Sequence, residues 1–143
     1  MIQKIVKSTH HKLRKKSLEV ENASSIKKLI QDLVDTRKSY EALGLAAIQI
    51  GVRKRVALIC PPEKEAYIII NPVITSYSDE IEMGVEGCLS YKGKQRRLHR
   101  HKSINIEYID INGNKCRGVA EELEARILQH EVDHMDGILM EDR

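Results

Sequence analysis

Glu121-Glu-Leu-Glu-Ala-Arg-Ile-Leu-Gln-His130-Glu131-Val-Asp-His134-Met135 is the stretch on which the reading of this chain turns. Acidic residues crowd its first turn, where they complement the positive end of a helix dipole, so the segment predicts a helix over about residues 121–135. On a helix His130 and His134 stand one turn apart on one face and can reach a single metal ion. Glu131 sits about 100° further round, close enough to act as general base on a water held there without ligating the ion. Leu123 and Ile127 precede the motif on its own face at helical spacing, which predicts that this face looks inward. Imidazoles buried without partners would be costly, and that favours metal ligation over two surface histidines that happen to flank a glutamate.

A catalytic ion commonly has three protein ligands and one position left open. Cys88, in Val85-Glu-Gly-Cys-Leu-Ser90, is the best candidate for the third, because a glycine beside the thiol allows close backbone approach. Cys60 and Cys116 read as small apolar residues in or beside strands, and periodicity alone leaves that reading open for Cys88 as well. Three scattered cysteines argue against a disulfide framework and for a reducing compartment, here the cytoplasm.

Upstream, Ile26, Leu29, Ile30, Leu33 and Val34 recur at spacings of three and four, which predicts a first helix running to about Tyr40 and lying against a sheet. Ser24 or Ser25 is the expected N-cap. After Gly44 the β-branched content rises, and Val56–Cys60, Tyr67–Thr75 and Ile104–Ile109 read as strands, with Asn112-Gly113-Asn114 as a hairpin turn. Helices and largely antiparallel strands without βαβ alternation give an α+β fold. The 143 residues fit one domain spanning 1–143.

Composition narrows the function classes. Apolar residues make up 41% and charged residues 31%, the balance of a globular chain, and with no Trp or Phe the core must be aliphatic. No apolar run approaches the roughly 20 residues that a membrane helix needs. The net charge of +3 is mild and points neither to DNA nor to a membrane. Lys92 to Lys102 is locally basic, with six Lys or Arg in eleven positions. A weak RNA or ribosome contact is one reading of it, but no aromatic residue interleaves the charges, so a solvated hairpin is favoured.

Taken together, Gly44-Leu-Ala-Ala-Ile-Gln49, Glu86-Gly-Cys-Leu-Ser90 and His130-Glu-Val-Asp-His134 resemble, in order and spacing, the three signature motifs of bacterial peptide deformylases. The resemblance extends through Leu13-Arg-Lys-Lys16, Ile70-Asn-Pro-Val73 and Asp136-Gly-Ile-Leu139. It implies a metal-binding helix surrounded by antiparallel sheets, in a short variant lacking the C-terminal helix of many relatives. By position it makes Cys88 the third ligand beside His130 and His134, with Fe2+ the usual ion and Ni2+, Co2+ or Zn2+ the others. The implied reaction is removal of the formyl group from the initiator methionine of nascent polypeptides, as part of protein biosynthesis.

Glu131 is then general base and later general acid, and the side chain of Gln49 and the backbone N–H of Leu89 face the developing oxyanion. Leu43, Gly44, Ile127 and the segment around Tyr91 are expected to line the methionine pocket. Departures from the family pattern fall at Ala42, Ile48, Tyr91-Lys92-Gly93 and Thr9-His10-His11, away from the ligands. Two alternatives remain. A metallopeptidase is disfavoured by the cysteine and by the lack of a histidine after His134; a deformylase-like metal-binding protein with reduced or altered activity is supported by Ala42 and the short C-terminus.

Overall fold

The computed structural model describes residues 1–92 and 94–143. Gly93, read from sequence as part of a turn, lies outside the described residues. Helix α1 spans Lys27–Tyr40 and is entered through a 3-10 turn at Ala23–Ile26. The cap of that entry is Asn22 rather than Ser24 or Ser25. Its Oδ1 accepts from the backbone N–H of Ser24 at 3.0 Å, while both serine hydroxyls donate back to Asn22. The tighter turn moves the start of the helix upstream of the serines.

Seven strands follow: β1 (Gly44–Ala46), β2 (Val56–Ile59), β3 (Tyr67–Tyr77), β4 (Ile81–Gly87), β5 (Gln95–His101), β6 (Ser103–Ile109) and β7 (Lys115–Glu121). Helix α2 (Glu122–Met135) comes last, ahead of a 3-10 turn at Met140–Asp142. One sheet has the order β1-β2-β3-β6-β7 and the other is the β4-β5 pair, every ladder being antiparallel. The α+β expectation therefore holds.

The continuous apolar run in β2 has a direct structural cause. Side chains alternate across a strand, and here both faces are covered. Val56, Leu58, Ile68 and Ile70 join Leu29 and Leu33 of α1 in one cluster, while Ala57, Ile59 and Ile69 join Ile127, Leu128 and Met135 of α2 in the other. The central strands are thus clamped between two helices, and α2 is buried from Ala125 to Met135. In β3 the Asn71-Pro72 pair interrupts the register with β6. Asn71 takes φ 50° and ties down the N-terminal segment through Val20, accepting from its N–H at 2.8 Å and donating to its carbonyl at 2.7 Å.

Strands β1, β4 and β5 were not separated by sequence reading, whereas β7 is the hairpin strand expected after Asn112-Gly113-Asn114. The basic segment is mostly β5, and it is not wholly solvated: Lys94, Arg96 and Arg97 are exposed, but Arg100 is buried. No helix among the described residues is long and apolar enough to cross a membrane.

Candidate metal centre

Two elements bring the donor groups together. The buried face of α2 carries His130 and His134, and the chain leaving β4 carries Cys88. His134 Nε2 lies 3.2 Å from His130 Nε2 and 3.3 Å from Cys88 Sγ, and one donor atom from each of the three residues falls within 4.8 Å of the others. Bonds of roughly 2.0–2.3 Å to a tetrahedral ion would separate such donors by about 3.3–3.7 Å. The set therefore has the spacing of metal ligands and could hold one ion.

Charge balance fits the same picture. Burial opposes a proton on His130, yet hydrogen bonds from the Cys88 and Glu86 side outweigh it and push its pKa up to about 10. Burial, reinforced by the neighbouring His130, holds His134 well below the usual imidazole range. Of the two imidazoles, His130 is therefore the one that carries the proton in the ion-free protein. A divalent cation would take the place of that proton, as metal sites do when they displace protons.

Glu131 is 4% exposed, and its Oε1 has no hydrogen-bond partner. Burial raises its pKa to about 7. That is the range in which a carboxyl can both accept and return a proton near neutrality. Gly44 explains how the carboxylate fits: a methyl carbon at this position would lie 2.6 Å from Glu131 Oε2. Gln49 sits in the 3-10 turn after β1, and its amide is held by the Ala46 N–H, which donates to Oε1 at 3.0 Å. That bond aims the Gln49 NH2 at Cys88 Sγ (3.3 Å) and Ser90 Oγ (3.2 Å).

The space in front of these groups is a cavity of about 260 Å³, lined by Leu43, Gly44, Gln49, Leu89, Ile127, His130 and Glu131 among others. Ala42 also lines it, so the methyl that departs from the family pattern stands at the wall. Leu123, expected to face inward, is instead 43% exposed, because it lines the open cavity rather than the packed core. Tyr91 is not among the lining residues and packs against the core cluster, since the chain turns away from the cavity after Ser90.

Sequence reading missed the ionic frame behind the ligands. Glu86 Oε1 accepts from His130 Nδ1 at 2.7 Å and from Arg100 Nη2 at 2.9 Å; its Oε2 accepts from Arg100 Nε and Arg126 Nη1, each at 2.8 Å. Burial would raise the Glu86 pKa, but the Arg100 and His130 bonds outweigh it and hold the carboxyl well below the carboxylate range. Arg100 Nη1 also donates to Asp133 Oδ2 at 2.6 Å. Arg126 lies flat on Gly84, where a methyl carbon would come within 2.7 Å of its Cζ. One signal was available: Glu86 is two residues before Cys88, and Arg126 and Asp133 lie four before and three after His130, so all three occupy buried faces.

A buried carboxylate poised beside a thiol and two imidazoles, at the head of an open cavity, belongs to the hydrolases that cleave amide bonds with a metal ion. The comparisons with known proteins then narrow this class. The family model described as polypeptide deformylase matches residues 2–143. A peptide deformylase of Natranaerobius thermophilus is 41% identical over 143 residues, covering 99% of this chain and 92% of that protein. The crystal structure of peptide deformylase from Ehrlichia chaffeensis superposes with a TM-score of 0.94 at 37% identity, covering 97% of this chain and 86% of the other. A class I type b peptide deformylase from Acinetobacter baumannii, crystallised with Met-Ala-Ser, gives 0.95 at 27% identity, over 100% and 98%. The chain belongs to the peptide deformylase family, whose members are metal-dependent enzymes that hydrolyse the N-formyl group from nascent polypeptides.

Proposed function

We propose that residues 1–143 form one catalytic domain in which Cys88, His130 and His134 hold a single divalent ion, with Fe2+ first among the candidates, and that its substrates are formyl-methionyl peptides. The observation that carries this reading is the convergence of the three donors beside the unpartnered Glu131 Oε1. When bound, the ion would polarise the formyl carbonyl and acidify a water at the site.

The chain's own residues supply the rest. Glu131 takes a proton from the attacking water as oxygen bonds to the formyl carbon. As the C–N bond breaks, the same carboxyl returns the proton to the leaving amine, and formate departs with the second oxygen. The Gln49 amide and the Leu89 N–H face the oxygen on which negative charge builds. For Gln49 this means turning one N–H from Cys88 Sγ toward substrate, a short swing for an amide anchored at Oε1. Leu43, Gly44 and Ile127 would take the methionine side chain, the Met-Ala-Ser complex of the Acinetobacter baumannii enzyme being the precedent.

The proposed site of this activity is the cytoplasm, a reading supported by the free cysteines, which suit reducing conditions, and by a substrate carried on nascent chains. A ribosome contact through residues 92–102 would have to use exposed cations such as Lys92, Lys94, Arg96 and Arg97, because Arg100 is occupied by Glu86 and Asp133. Reversing Arg96 and Arg97 to Glu and measuring co-sedimentation with ribosomes tests that contact; unchanged binding removes it. For the reaction itself, formate release from formyl-Met-Ala-Ser is measured anaerobically with Fe2+ or Ni2+. Turnover is expected in the wild type and absent in Cys88→Ser, and an active Cys88→Ser would overturn the ligand assignment.

A further inference from the structure

We infer that Arg143 is a positioning residue for the metal centre, acting through Asp133 and Arg100. The inference rests on the reading that Cys88, His130 and His134 share one ion. Two ligand-bearing elements meet at Arg100. Its Nε and Nη2 engage Glu86, two residues before Cys88, while its Nη1 engages Asp133, one residue before His134 on α2. Arg100 therefore braces the strand that delivers the thiol against the helix that delivers both imidazoles.

On the helix side that brace is a single bond to one carboxylate oxygen, and one bond leaves the Asp133 carboxylate plane free to turn. Arg143 removes this freedom. Its Nε donates to Asp133 Oδ2 at 3.0 Å and its Nη2 to Oδ1 at 2.6 Å, a two-point fork that fixes the plane. Among the described residues Asp133 Oδ1 has no other hydrogen-bond partner. The Asp133 side chain is 11% exposed beneath Arg143, so in the folded protein the Arg143 guanidinium is the group that pairs this oxygen. Arg143 is anchored in turn, since Arg96 Nη2 donates to its carbonyl at 2.8 Å.

The consequence falls on geometry. A turn of α2 about its axis would carry His130 and His134 together away from Cys88, and the fork on Asp133 opposes that turn at the position between them. Lysine cannot reproduce a planar two-point contact. Arg143 has a 45% exposed side chain, so its replacement opens no cavity in the core.

The test loads wild type, Arg143→Ala and Arg143→Lys with Co2+. It measures the dissociation constant by chelator competition, the thiolate-to-cobalt absorption, the melting temperature of the ion-free proteins, and kcat and KM on formyl-Met-Ala-Ser. Arg143→Ala is expected to bind Co2+ about tenfold more weakly, the lower end of the loss seen when groups behind a metal ligand are removed. Its kcat should fall by a similar factor with KM within about twofold, and Arg143→Lys should lie between. Wild-type Co2+ affinity in Arg143→Ala overturns the inference, even with a lowered melting temperature, because that pattern marks a role in folding alone. If Arg143→Ala does not fold, wild-type affinity in Arg143→Lys overturns it equally. A wild-type chain that fails to bind Co2+ refutes the ligand assignment itself, a result distinct from failure of the Arg143 inference.

Discussion

Gly44→Ala perturbs the site at its tightest point. The added methyl carbon would stand 2.6 Å from Glu131 Oε2, and the three atoms nearest to it all belong to Glu131. Ordinary contact needs about 3.5 Å between such groups, so the carboxylate must recede by roughly 0.5–1 Å. A displacement of that size at a reacting group costs on the order of a hundredfold in rate, equivalent to about 2.7 kcal/mol in the barrier. The fold itself should hardly notice. Gly44 does not occupy the left-handed region, and a Gly→Ala change at a compatible position alters stability by less than about 1 kcal/mol. Kinetics of formate release from formyl-Met-Ala-Ser should show kcat down about a hundredfold, with metal content and melting temperature close to wild type. A kcat within threefold of wild type would refute the placement of Glu131 as the base.

Other perturbations address different groups. Gln49→Leu should lower kcat by about a hundredfold to a thousandfold through loss of an oxyanion donor, and unchanged turnover would remove that role. Glu86→Gln leaves the arginines and His130 facing a neutral amide; metal affinity, measured by chelator competition, should drop by about tenfold to a hundredfold. Glu131→Gln tests burial of the carboxyl in the ion-free protein. Its pKa rises on folding from 4.5 to about 7, so the native state holds its proton longer than the unfolded state. The stability contributed by this residue is fully present below about pH 4.5 and declines as pH rises to about 7. At 1.36 kcal/mol per pKa unit the loss is roughly 3 kcal/mol. Urea unfolding should therefore find Glu131→Gln more stable than wild type at pH 8 by up to that amount and nearly equal at pH 4; a gap independent of pH would contradict the burial argument.

The legible parts of the sequence were those with a local rule. Period-3.6 apolar residues marked α1, acidic first-turn residues marked α2, and the two histidines of α2 needed no tertiary information to be paired. β2 and the first half of β3 were visible as apolar runs, because burial on both faces leaves no polar positions there to break the pattern. Strands β4 and β5 were hidden for the opposite reason. Their alternation sets exposed Ile81, Met83 and Val85 against inward Gly84 and Glu86, and β5 is written in arginine and histidine. The ionic frame of Glu86, Arg100, Arg126 and Asp133 escaped notice because a charge run ordinarily means a solvated face. Here it braces the interior. Convergence of Cys88 with His130 and His134 joins residues more than forty positions apart, which is tertiary information that spacing along the chain does not hold.

X-ray absorption at the metal edge of the loaded protein measures that convergence most directly. One sulfur at about 2.3 Å and two imidazole nitrogens at about 2.0–2.1 Å are expected around the ion, with the sulfur lost in Cys88→Ser. A first shell without sulfur in the wild type would contradict the account.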